Sequence, residues 1–184
     1  NIIVAAPTGV AAINAGGVTL HSLFQLPFHP FLPTKNHKDE LLAKVRFNKQ
    51  RQQLLRKMEL LVIDEISMVR CDVMDAIDAI LKSVRRNHHL PFGGVQLLCI
   101  GDLFQLPPVA QNQEWNILSE YYSSPFFFDS LAAKELSPLL IELNKIYRQK
   151  EEGFVELLNK VRNNQMGPGD FELLHSRYNP AFRP

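Results

Sequence analysis

Residues 60–68 read LLVIDEISM: four apolar residues, then Asp64 and Glu65 side by side. A short apolar run closed by charge reads as a buried strand, here Glu59–Asp64. Two more runs of the same kind flank it. Asn1–Ala6 (NIIVAA) is broken by Pro7, and Val95–Ile100 (VQLLCI) ends at Gly101-Asp102. Helical stretches lie between them. Thr8–Ala15 is small and closed by Gly16-Gly17; Lys38–Lys57 is a polar helix or helix pair. Cys71–Arg86 carries Val73, Ile77, Ile80, Leu81 and Val84 on one helical face. Alternation of apolar strands with helices predicts an α/β fold, a mostly parallel sheet with helices on both faces.

Punctuation sets the remaining boundaries. Gln25–Thr34 holds Pro27, Pro30 and Pro33 and reads as a loop; Pro91-Phe92-Gly93-Gly94 reads as a turn. Phe126–Phe128 and Leu139–Leu143 are expected to be short strands. Glu151–Val161 and Asp170–Ser176 are expected to be helical.

The chain has 184 residues, 46% hydrophobic and 21% charged, with a net charge of +1. That composition excludes wholesale disorder. Charge is uneven: twelve Lys/Arg against eight Asp/Glu in residues 1–92 make a net of +4, and eight against eleven in 93–184 make −3. A near-neutral chain can still bind a phosphodiester through a local basic patch. Cys71 and Cys99 offer neither a disulfide framework nor a CxxC zinc motif. No apolar run approaches a membrane span, and the first residues lack the cationic start of a signal peptide.

Chemistry concentrates where strands end. In open α/β sheets, ligands sit outside the carboxyl ends of the strands, which is where Asp64 and Glu65 fall. Alternation along a strand points the two carboxylates in different directions, so one can serve a magnesium ion and the other a water. The plainer alternative is that they cap the following helix. GDLFQLPPV (101–109) repeats the arrangement. Asp102 follows a strand, and Gln105 brings a donor and an acceptor suited to a phosphate or a water; a simple proline-terminated turn competes with that reading.

APTGVAAINAGGVTLHSLF (5–24) passes from strand through Pro7, Thr8 and Gly9 into a helix. Backbone N–H groups at such a place suit a phosphate. Thr19, His21 and Ser22 add side-chain donors for a nucleic-acid backbone, against the alternative of two ordinary capped turns. Tyr147-Arg148-Gln149 offers an arginine to a γ-phosphate, or a surface arginine. Lys44–Lys57 has six Lys/Arg and no acid; it reads as a solvated helix face or as a lean toward nucleic acid. Trp115, Tyr121, Tyr122 and Phe126–Phe128 read as packing.

These four segments in this order resemble the PIF-type DNA helicases of superfamily 1, kin of the RecD-type helicases. PTGVAA with GGVTLHS is similar to their first DNA-contacting motif, VIDEISM to their Walker B motif, GDLFQLPPV to their third motif and YRQ to their arginine motif. The likeness covers Asn1 to about Arg162. It implies a RecA-like motor domain using ATP and Mg2+ to move along single-stranded DNA, 5′ to 3′. By that resemblance Asp64 serves the magnesium, Glu65 activates the water, Gln105 senses the γ-phosphate and Arg148 contacts it. Asp102 joins the nucleotide-binding set. Pro7, Thr8, Gly9, Thr19, His21 and Ser22 are the implied DNA contacts.

No GxxxxGK[ST] phosphate loop occurs in these residues. The expectation is a first motor domain over residues 1–165, its phosphate loop lying upstream. Residues 166–184 would be a C-terminal helix and tail leading toward a second RecA-like domain. These residues alone are expected to be inactive. A bacterial parent would work at the nucleoid, a eukaryotic one in the nucleus or mitochondria, with no membrane partner. Two other readings stand beside this one. A non-catalytic DNA- or protein-binding module could keep the fold without the loop. An ATP-driven nuclease would need a carboxylate–Lys cluster that is not seen.

Overall fold

The computed structural model describes every residue except Asn144, Ile146, Arg148, Gln149, Lys150 and Pro184. It divides into two compact units, residues 1–138 and 139–184. The first unit runs β1 (Ile2–Ala6), α1 (Gly9–Asn14), β2 (Val18–Thr19), α2 (Leu20–Phe24), α3 (Lys35–Lys44), α4 (Lys49–Lys57) and β3 (Leu60–Ile63). It continues through α5 (Cys71–Arg85), β4 (Gln96–Cys99), α6 (Asn112–Leu118) and α7 (Leu131–Lys134). The second unit holds α8 (Glu152–Arg162) and α9 (Pro168–Ser176).

The four strands form one all-parallel sheet in the order β2-β1-β3-β4. Ala5 pairs with Ile63 and Ile63 with Cys99, so β1, β3 and β4 end level with one another. Ile3, Ala5, Leu61, Ile63 and Leu97 point into the main core, where they meet Leu41 of α3, Leu55 of α4 and Ile77 and Ile80 of α5. Coverage of the sheet is uneven. On the opposite face Val4, Leu60 and Val62 are half-buried, and Ile2, Leu98 and Ile100 are exposed. The expectation of apolar strands covered on both sides is met fully on one side, where α3, α4 and α5 pack.

Helix α5 is the spine of the core. Its 15 residues contain no glycine or proline, and Arg86 stops it in the left-handed region at φ 54°. Ile77 is fully buried; truncating such a side chain costs about 2–5 kcal/mol. Three aspartates at three-residue spacing, Asp72, Asp75 and Asp78, lie buried on the same helix. Each accepts backbone N–H groups from another segment. Asp72 takes Phe31 N at 3.0 Å, Asp75 takes Leu131 N at 3.1 Å and Ala132 N at 2.8 Å, and Asp78 takes Phe92 N at 2.6 Å. The pairing explains how the helix tolerates three buried acids.

Two expected strands are corrected. Phe127–Asp129 is a single 3-10 turn, preceded by one antiparallel bridge from Phe126 to Arg70. Residues 139–143 form no strand, and Leu139, Leu140, Ile141 and Leu143 are exposed. Both runs are apolar enough for a strand, but among the described residues neither has a neighbouring strand to complete a ladder. Lys38–Lys57 resolves into the pair α3 and α4. Thr34 and Asn48 cap them, accepting from His37 N and Arg51 N.

Candidate nucleotide and nucleic-acid site

Because β1, β3 and β4 end level, Pro7, Asp64 and Gly101 emerge on one edge of the sheet. Asp64 N donates to Ala5 O at 2.9 Å and Ile66 N to Ile100 O at 2.9 Å, which ties the three exits together. Gly101 is required there. A Cβ at that position would lie 3.0 Å from Ile66 N and from its Cγ2, so a larger residue would push the two turns apart.

Asp64 and Glu65 are half-buried. Glu65 sits at φ 50°, a left-handed conformation that is uncommon for a residue with a side chain. Strain of this kind collects at functional turns. Glu65 precedes the 3-10 turn Ile66–Met68, yet its side chain makes no capping bond. Asp64 Oδ1 accepts a local bond, from Glu65 N at 3.0 Å. The capping alternative thus fails for Glu65. Next to the pair, the buried Ser67 hydroxyl has no hydrogen-bond partner among the described residues, a polar atom still to be satisfied.

No cluster of three or more metal-ligating side chains occurs among the described residues. The described residues therefore build no cage for a resident ion. A magnesium ion keeps most of its water and takes one or two carboxylates together with substrate phosphates. A single half-buried carboxylate at a strand end, such as Asp64, fits that mode.

Asp102 and Gln105 form their own turn. Asp102 Oδ1 accepts from Phe104 N at 3.0 Å, and its Oδ2 accepts from Gln105 Nε2 at 3.3 Å. Gln105 is exposed, and so are Leu103, Phe104 and Leu106 around it. Asp102 thereby orients Gln105, a positioning task.

The implied DNA contacts occupy two short turns. Thr8 caps α1, its Oγ1 accepting from Ala11 N, and Thr19 caps α2, accepting from Ser22 N, both at 3.2 Å. Each hydroxyl keeps its proton to donate. Pro7 is half-buried. Gly9 is exposed, and a Cβ there would meet nothing within 4 Å, so packing inside the chain does not demand a glycine. Ser22 is exposed. His21 is half-buried; burial first, then the Arg70 charge, hold its imidazole below the ordinary value of 6.5, against a smaller pull from Asp72. His21 is thus neutral near pH 7. Arg148 lies outside the described residues.

Sequence reasoning missed Arg70. Its Nε and Nη2 clasp Asp72 at 2.8 Å each, and its Nη1 reaches Glu114 of α6 at 2.9 Å. Glu114 also accepts Gln111 N, completing a capping box. Arg70 therefore joins three segments: the exit of the Asp64–Glu65 turn, the start of α6 beyond Gln105, and, through Asp72, the loop at Phe31. The three-residue spacing of acids in CDVMDAIDAIL was the available signal. Trp115 and Tyr122 pack with Cys71 and Leu118, as expected. Tyr122 OH donates to Asp75 at 2.9 Å.

A profile of the PIF1-like helicase family matches residues 1–168. Over 163 residues the chain is 37% identical to the ATP-dependent DNA helicase PIF1 of Saccharomyces cerevisiae, covering 88% of this chain and 18% of that protein. It is 36% identical over 160 residues to the human ATP-dependent DNA helicase PIF1, covering 87% and 23%. Among solved structures, a Pif1 helicase from Bacteroides in complex with ADP-AlF3 and ssDNA superposes with a TM-score of 0.91 at 49% identity. That match covers 99% of this chain and 41% of the other. The chain thus spans about a fifth of its curated relatives and two-fifths of the solved one. A matching family profile over most of the length, together with this sheet and these strand-end turns, means that the chain belongs to the PIF1-like helicase family.

Proposed function

We propose that this chain is part of an ATP-dependent helicase that moves along single-stranded DNA in the 5′ to 3′ direction. One observation carries the reading. The carboxyl ends of three parallel strands bring together the Asp64–Glu65 turn, the Asp102–Gln105 turn and the Pro7–Gly9 turn. In this reading Asp64 holds a magnesium ion that arrives with ATP and neutralises charge on the phosphate oxygens. Glu65, in a left-handed backbone conformation and with no capping bond, orients and accepts a proton from the attacking water. Gln105, steadied by Asp102, reads the γ-phosphate through its amide, and Arg148 contacts the same group. Thr8, Thr19, His21 and Ser22, with Pro7 and Gly9 shaping the turn, face the DNA backbone.

The reading requires a phosphate-binding loop and a second motor domain, neither of which these residues contain. Relatives several times longer leave room for both. A non-catalytic binding module is the competing reading, and the unemployed carboxylate of Glu65 disfavours it. The test is phosphate release by the full-length protein with and without single-stranded DNA. Hydrolysis stimulated by DNA supports the motor. Nucleotide-independent DNA binding without hydrolysis supports the module. The 184 residues by themselves should release no phosphate above background.

A further inference from the structure

The connection between α2 and α3 holds an aromatic ring in an unusual setting. Phe28 is 90% exposed, yet the chain on both sides of it is pinned. Leu26 is buried and its N–H donates to His21 O at 3.1 Å; Phe31 is buried and its N–H donates to Asp72 at 3.0 Å. Only four residues separate these anchors, and Pro27 and Pro30 stiffen two of them. The ring itself lies flat on His21, with centroids 5.6 Å apart and planes 12° from parallel. Phe28 is therefore offset-stacked against the imidazole while most of the ring stays open to solvent.

A cation stands close by. Arg51 of α4 donates through Nη1 to Ser22 O at 2.9 Å, one residue from His21. This bond brings the basic run of α4 against the turn that carries the implied DNA contacts. A guanidinium has five donors, so this bond leaves it capacity for a phosphate. Fixed aromatic faces beside cations are how proteins hold single strands without reading sequence.

We propose that Phe28, stacked on His21, is a nucleobase-stacking site for single-stranded DNA, with Arg51 placed for the adjacent phosphate. The site deepens the reading given above and rests on it. Pinning at Leu26 and Phe31 means that little order has to be acquired on binding, which favours affinity.

Binding of fluorescent dT15 to the full-length protein, read by anisotropy at several salt concentrations, tests the site. Phe28→Ala should weaken binding about tenfold, and Phe28→Trp should preserve it. The indole introduced by Phe28→Trp should be quenched by dT15 when compared with the unsubstituted protein. An oligomer abasic throughout should bind the unsubstituted protein and Phe28→Ala equally. Arg51→Ala should reduce the salt slope by about one, and Arg51→Lys should restore it. Equal binding of dT15 by Phe28→Ala and the unsubstituted protein, or an unquenched indole, overturns the proposal and leaves the ring as a protein contact. An equal loss on the abasic oligomer overturns it too, because the ring is then structural. If the unsubstituted protein binds no single-stranded DNA, the motor reading itself fails.

Discussion

Aspartates do opposite work in two regions of the first unit. On α5, Asp72, Asp75 and Asp78 are buried and bonded to backbone donors from distant segments. At the strand ends, Asp64 and Asp102 are half-buried, and each accepts a backbone N–H from its own turn, Asp64 from Glu65 and Asp102 from Phe104. Residue type does not separate the two groups; position does. A buried carboxylate must be satisfied inside the chain, so its lone pairs are spent on architecture. In the function proposed above, one at the carboxyl edge of a parallel sheet serves a ligand instead. Glu65 is the extreme case, with a strained backbone and no capping bond.

If this division is right, the two groups fail in different ways. Glu65→Gln in the full-length protein should leave ATP binding and thermal stability near their original values while cutting turnover about a thousandfold, within the range for a lost catalytic base. Steady-state ATPase rates with a binding isotherm decide it, and turnover within about threefold of the original removes Glu65 from catalysis. Asp75→Ala should do the reverse at the level of folding. It strands Leu131 N, Ala132 N and the Tyr122 hydroxyl, at a cost of about 3 kcal/mol. Urea denaturation measures that loss, and a change under about 1 kcal/mol would mean these donors find other partners.

Gln105→Ala sharpens the strand-end side. Its side chain is exposed, and its Nε2 donates to Asp102 Oδ2 at 3.3 Å. DNA-stimulated hydrolysis should fall about tenfold and unstimulated hydrolysis less; equal losses would make Gln105 a nucleotide contact alone. The smallest effect is one of pH. The folded chain binds the His21 proton less readily than the unfolded chain, because burial lowers the imidazole from 6.5. The stability involved is full above pH 6.5 and is lost as pH falls below it, down to the lowered folded value. Urea midpoints at pH 7.5 and pH 5.5 should therefore differ less in His21→Phe than in the unsubstituted chain. An identical acid loss in both would clear His21 of the effect.

Much of this was legible in the sequence because it depends on local pattern. The runs IIVAA, LLVI and QLLC are apolar enough to read as strands, and β1, β3 and β4 form on them. The spacing of Ile77, Ile80 and Leu81 dictates α5, and Thr8 announces the start of α1. From those boundaries alone, Asp64, Glu65 and Asp102 fall at strand ends. Tertiary structure decided what local pattern leaves open. Phe126–Phe128 and residues 139–143 are as apolar as true strands, but a strand exists only when a neighbour completes its hydrogen bonds. Two-residue β2 pairs with β1 where Gly17 admits a close approach that a Cβ would block, 2.3 Å from Val4 O. Which acids are tied to distant backbone donors was decided the same way. The three-residue spacing of Asp72, Asp75 and Asp78 put them on one helix, but only the fold brought Phe31, Ala132 and Phe92 within reach of their oxygens.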